Sequence, residues 1–301
     1  MNRLLAWVPE SWRRATNDVL DWPHRDFVLR ATVLLLMFYA TRTHELRMVL
    51  RVSGCAMLFS TTLLYSRMAW LLTFTLCAGT IAVGWYEADN HYWLIGYWTL
   101  ACAIAASESE RIGAGILRLN GRLLIGLCFL FATAWKILGG QYLDGSFFLF
   151  QFDFDDRFKP WVVGLFGQPP ETYDLNAKQF SLTTADPALG TRLPVSHTKA
   201  MVWTALAFGW WTILIEGAIA LSFLSSRPRW LFERRDWVLL LFIYTTYLLT
   251  PVFGFGAVLI TMGLAQCDLA RRGTRVAYLA SLIALHLGNT FAKIAVDSFV
   301  D

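Results

Sequence analysis

Apolar runs separated by short polar turns dominate this chain, and each run predicts a helix. They cover Phe27–Thr41, Met48–Tyr65, Met68–Tyr86, Tyr92–Ala106, the stretch Arg122–Gly145, Ala200–Phe223 and Val276–Val300. Such runs approach the length that crosses a bilayer as a helix. Trp237–Cys267 is too long for one ordinary span at ~1.5 Å per residue. Thr250-Pro251, Gly254 and Gly256 interrupt it, and proline removes a backbone donor. The expectation is two short spans, or two half-helices, meeting at Pro251–Gly256. The fold class is therefore all-α, a polytopic transmembrane bundle of about nine spans, or eight if Trp237–Cys267 is one helix.

Two stretches stand outside the runs. Residues 1–26 carry Trp7, Trp12, Leu20 and Trp22 among Glu10, Arg13, Arg14 and Asp18. That mixture is no cleavable signal and predicts an interfacial helix on the membrane surface. Residues 27–301 then form a single transmembrane domain with one long loop, 139–198, a length that is usually functional in a compact domain. Within it Phe148, Phe150, Phe152 and Phe154 recur every second residue, which predicts an extended segment with an aromatic face. Asp153 and Asp155 invite a calcium-loop reading. Arg157 stands where a third ligand should be, with no glycine or closing glutamate, so no metal is expected there. Pro169-Pro170, Gly190 and Pro194 predict that the remainder is irregular.

Composition agrees with the pattern. Of 301 residues 56% are hydrophobic and 16% charged, with mean hydropathy +0.46, against roughly 25% charged in soluble domains. The lipid bilayer is the expected partner. A net charge of +4 gives no reason to expect nucleic acid. The five cysteines lie in apolar runs with no C-x-x-C, which predicts small buried hydrophobes. The arginines set the orientation. With the N-terminus cytoplasmic and nine spans, Arg67, Arg111, Arg118, Arg122, Arg227–Arg235 and Arg271–Arg275 fall inside. Loop 139–198 and the C-terminus fall outside. Lys136, ~21 Å along the helix from Arg122, falls in the outer leaflet.

Few polar groups interrupt the apolar helices. Lys136 precedes the Gly139–Gly140 break. It is either an ammonium anchored at the interface or a base, because desolvation favours the neutral amine. Glu216 near the middle of its helix is either a structural partner or functional, and intramembrane ionisable groups face protein. His286 shares a helix face with Asn289 and Lys293; a lone histidine there is more often packed than a ligand. No phosphate-loop, dinucleotide, zincin or serine-hydrolase motif is present.

Ala132, Lys136 and Leu143-Asp144-Gly145 resemble the "A-G-x-x-K-L … W-[LV]-[DE]-G" pattern of the vitamin K-dependent gamma-carboxylase-like superfamily, with its bacterial HTTM-type members. Thr133, Ile137 and Tyr142 replace the glycine, leucine and tryptophan of that pattern. A weaker similarity covers Leu214-Ile-Glu216-Gly and the helix around His286. DoxX-type membrane proteins, linked to quinone-associated redox chemistry, carry a similar helix and are a more distant resemblance. The family resemblance implies that Lys136 is the active-site base, facing the outer side, and that a quinone-type or other lipid-like cofactor is bound. It also implies a bacterial inner-membrane location. The sequence ends at Asp301, directly after the last run, so a carboxylase of propeptide-tagged proteins is not expected.

Three functions follow as alternatives. The first is an enzyme of quinone- or lipid-linked chemistry with Lys136 as base, and Glu216 and His286 as weaker candidates. The second is a non-catalytic subunit scaffolding a larger membrane complex. The third is a transporter built on the Pro251–Gly256 break.

Overall fold

The computed structural model describes residues 21–39, 43–86, 90–185, 195–247, 252–267 and 272–300, with 180–185 and 288–300 as backbone alone. The expected N-terminal interfacial helix lies almost entirely outside these residues. So do residues 87–89, Pro251, and the side chains of Asn289 and Lys293.

Every regular element among the described residues is helical. The chain runs α1 (His24–Tyr39), α2 (His44–Phe59), α3 (Thr61–Leu64), α4 (Arg67–Val83), α5 (Asn90–Ala106) and α6 (Glu110–Gly139). It continues with α7 (Ser146–Phe154), a 3₁₀ turn (Asp156–Phe158), α8 (Lys159–Gly164), α9 (Pro170–Ala185) and α10 (Lys199–Leu224). It ends with α11 (Arg229–Glu233), α12 (Arg235–Tyr247), α13 (Phe253–Gln266) and α14 (Arg272–Val300). Serines divide what hydropathy runs together. Ser60 Oγ accepts from Leu63 N and Ser66 Oγ from Ala69 N, both at 3.3 Å. These are N-caps that start α3 and α4.

Three expectations need correction. The polar stretch between the expected runs Tyr92–Ala106 and Arg122–Gly145 is mostly helix, because α6 begins at Glu110, an acidic residue suited to a helix N-terminus. Among its described residues loop 139–198 is largely helical, carrying α7, α8 and α9, and Pro170 begins α9 rather than irregular backbone; residues 186–194 lie outside the described residues. The aromatic run is not extended either. In α7 a two-residue step turns the side chain by about 200°, so alternate phenylalanines separate into two i, i+4 pairs. Phe148 and Phe152 face the core; Phe150 and Phe154 stack outside at 5.4 Å, 41% and 54% exposed.

The break in the 237–267 stretch also differs from expectation. The expected break covers Pro251–Gly256, yet α13 is helical from Phe253 onward. α12 and α13 are separate helices, with Val252 in irregular backbone ahead of α13.

Among the described residues α6 (30 residues) and α10 (26 residues) are long and apolar enough to cross a membrane. α1, α2, α4 and α5 have 16 or 17 residues. They reach about 24–26 Å, short of a ~30 Å hydrocarbon core.

The chain forms two compact units, residues 1–128 with 219–301, and residues 129–218. In the first, every residue of α13 from Gly256 to Gln266 is buried, against α14, α1, α5 and α12. Its polar groups are closed internally. Tyr278 Oη donates to Asp236 Oδ1 at 2.9 Å, Gln266 Nε2 donates to the same oxygen, and Arg235 Nε donates to Gln266 Oε1 at 2.7 Å. The set joins α12, α13 and α14. Nearby, Trp98 Nε1 donates to Thr32 Oγ1 at 3.0 Å. In the second unit Phe152, Phe158, Val162, Tyr173, Met201 and Ala205 form the core.

Gly263 makes room for Tyr278, since a Cβ there would lie 2.5 Å from the ring. Gly263→Ala is expected to destabilise by about 1–3 kcal/mol through overpacking. Gly115→Ala, where a Cβ meets nothing within 4 Å, should instead gain about 0.5–1 kcal/mol. Thermal unfolding of the two variants in detergent checks the opposite signs.

Candidate functional site

The second unit contains the ion pair on which the site rests. Lys136, in the last turn of α6, donates from Nζ to both carboxylate oxygens of Glu216 on α10, at 2.8 and 2.6 Å. The side chains are 14% and 6% exposed. Eighty positions separate the two residues, so nothing local in the sequence pairs them. The Tyr142 ring covers the ammonium, with Nζ 5.1 Å from its centroid, a cation–π distance.

Glycines carry the chain from α6 over this pair. Gly140 and Gly145 have positive φ, 74° and 79°, the left-handed region that favours glycine. Asp144 Oδ1 accepts from Ser146 N at 2.9 Å and closes the turn into α7. The turn lies directly on α10, where a Cβ on Gly209 would sit 2.1 Å from the Tyr142 carbonyl oxygen. Asp144-Gly145 therefore has a local physical role: an acceptor for the first amide of α7 beside a left-handed glycine. Tyr142 stacks on Phe147 at 4.3 Å and meets Phe148 edge-on. Burial first, and the Glu216 charge second, push the Tyr142 phenol up, so it stays protonated and can donate but not act as the base.

Thr133 stands one turn before Lys136 on α6, close to Gly217, whose Cβ would lie 3.7 Å from the Thr133 methyl. Its hydroxyl oxygen is buried and makes no hydrogen bond among the described residues.

His286 belongs to the first unit. Its Nδ1 lies 3.1 Å from Tyr39 Oη, and Phe38 meets its ring edge-on at 5.4 Å. It lines a half-open apolar groove of about 240 Å³ with Leu34, Leu35 and Ile283. Of the three residues singled out from sequence, Lys136 and Glu216 meet, and His286 has Tyr39 for its partner.

A second polar cluster is not legible in the sequence. Asp153 on α7 is 1% exposed and accepts from Asn176 Nδ2 on α9 at 2.9 Å. Its other oxygen lies 2.5 Å from His197 Nε2. Asn176 also donates to the Ser196 carbonyl at 3.0 Å, which Gln168 Nε2 reaches at 2.7 Å. The cluster ties α7 and α9 to the segment entering α10. Only long-range pairing reveals it; in sequence Asp153 was visible as a failed calcium ligand and nothing more. Among the described residues no group of three or more His, Cys, Asp or Glu could hold a metal ion. Cys77, Cys102 and Cys267 are buried as expected, whereas Cys55 is exposed.

No protein-family model, curated protein or solved structure matches this chain.

An ion pair this enclosed is costly to break from one side only. Glu216→Ala leaves a buried ammonium and is expected to cost about 3–5 kcal/mol, whereas Lys136→Met with Glu216→Leu should be neutral or stabilising. Chemical denaturation of the single and double variants distinguishes the two outcomes.

Proposed function

We propose that the chain is a multi-pass membrane enzyme of about nine spans, and that Lys136 with Glu216 is its proton-accepting centre for a quinone-type or lipid-like substrate. The observation that carries this reading is the buried Lys136–Glu216 pair between two apolar helices. An ammonium and a carboxylate that could each be replaced by packing are retained together where burial is costly. The helices around them turn large apolar residues outward. Phe131, Trp135 and Leu138 on α6, and Trp203 and Leu214 on α10, are 63–82% exposed. Contiguous apolar surface of this kind suits lipid. The resemblance to the gamma-carboxylase-like superfamily, with its lysine base, points the same way.

The proton ledger is short. As an ion pair Lys136 cannot accept a proton. Transfer of one proton from Nζ to a Glu216 oxygen gives an amine beside a carboxylic acid. The amine lone pair then takes a proton from a substrate O–H, and Lys136 is an ammonium again. The Glu216 proton leaves to solvent and restores the pair. The Tyr142 ring stands over the ammonium, and its phenol stays protonated. The residues present fit a quinone-type group, because the unpartnered Thr133 hydroxyl in an apolar wall is what an oxygenated ring would satisfy. Such a group, when bound in its reduced hydroquinone form, would supply a hydroxyl whose deprotonation makes it a stronger two-electron reductant of dioxygen.

The specific observation favouring the scaffold alternative is that Lys136 bonds both carboxylate oxygens of Glu216. A pure clasp between α6 and α10 needs a cation and an anion, and arginine serves as well as lysine. With reduced menadione in nanodiscs, the wild type is expected to speed dioxygen consumption over empty nanodiscs. Lys136→Arg, which stays charged and cannot act as a base, should lose about a hundredfold or more while folding normally. Retained acceleration in that variant would end the base reading and leave the clasp.

The orientation has its own check. In a Cys55→Ser background, Leu175→Cys, on the exposed face of α9, should react with an impermeant maleimide from the outside. Ser226→Cys, exposed before α11, should react only after permeabilisation. The reverse pattern excludes the nine-span topology.

A further inference from the structure

Several helical threonines of this protein share a habit that Thr133 lacks. Thr32, Thr73, Thr212 and Thr261 each donate to the carbonyl four residues back, at 2.8–2.9 Å. Thr99 donates three residues back, to Gly96 O at 2.8 Å. This local bond is how a hydroxyl inside an apolar helix avoids a desolvation cost. Thr133 forgoes it. Its Oγ1 is buried with no hydrogen bond among the described residues, although it sits mid-helix with a carbonyl available one turn back. A buried hydroxyl left unmet carries a desolvation cost, which a bound partner would remove.

Three further facts place that partner. Thr133 and Lys136 are i and i+3 on α6, which puts their side chains on one face, about 5–6 Å apart at Cβ. The Thr133 methyl packs toward Gly217, the neighbour of Glu216, where the missing side chain leaves space. The Lys136 ammonium directs two of its three N–H groups to Glu216, and Thr133 Oγ1 is not among its acceptors. The hydroxyl is left to address whatever enters beside the ion pair.

We propose that Thr133 is a ligand-binding residue, whose hydroxyl donates a hydrogen bond to a ketone or hydroxyl oxygen of the lipid-soluble molecule held at the Lys136–Glu216 site. It thereby selects oxygenated ligands over hydrocarbons of the same shape. The inference rests on the reading of that pair as a ligand site, but not on Lys136 being a base. A donor in an apolar wall discriminates strongly, since a ligand lacking the oxygen leaves the hydroxyl unsatisfied.

The test compares two probes of the same ring shape, menadione and 2-methylnaphthalene, titrated calorimetrically into protein-bearing nanodiscs with empty nanodiscs subtracted. Wild type and Thr133→Ser are expected to bind menadione about three- to tenfold more tightly than Thr133→Val. All three should bind 2-methylnaphthalene alike. Infrared difference spectra should show one menadione carbonyl band shifted to lower frequency in wild type and in Thr133→Ser, and unshifted in Thr133→Val. Equal loss of both probes in Thr133→Val would show a packing role and overturn the proposal. So would menadione binding that is indifferent to Thr133, an outcome that leaves the base reading standing. If wild type binds no menadione, this inference falls together with the quinone-type substrate.

Discussion

The constraint that organises this molecule is that a polar group inside an apolar helix must find its partner within the protein. Water is not at hand, and an unmet charge or donor costs several kcal/mol. The answers recur in kind. Lys136 closes on Glu216, Asp236 gathers Tyr278 and Gln266, Thr32 receives Trp98, and Asp153 holds Asn176 and His197. Each joins helices distant in sequence, so the polar pairs specify which apolar faces meet. Hydrophobic contact alone would leave that choice loose, because one leucine face packs on another in many registers.

Much of the helical framework was legible in hydropathy, because apolar runs and helices share a cause. The ends were less so. Hydropathy could not see that Ser60 and Ser66 would cap new helices within one apolar region. Nor could it see that α6 would continue back through Gly113 and Gly115 to Glu110. Glycines read as turn formers; Gly113 instead allows close approach, since a Cβ there would lie 2.6 Å from the Ala105 carbonyl. The α7 reading failed for a sharper reason. Phenylalanine at every second position fits a strand with one aromatic face and equally a helix with two aromatic pairs, and only tertiary packing decides between them.

The site was legible one residue at a time. Lys136 and Glu216 stood out because charge is rare in such runs. That they are partners was not visible, since pairing across eighty positions leaves no local trace. Thr133 was noticed as a departure from a family glycine, without its consequence. The Asp153–Asn176–His197 cluster escaped altogether: each residue is an ordinary loop residue until the α7–α9 packing brings them together.

The contact between Gly209 and the Tyr142 carbonyl bears on access. The turn that roofs the ion pair is keyed into α10 at Gly209, and again where Gly145 abuts Leu206. The turn and α10 are thus packed as one piece. A roof fastened to its own wall cannot swing open like a lid. On the proposed reading, entry to Lys136 comes from the side, between α6 and α10, a route suited to molecules already dissolved in lipid.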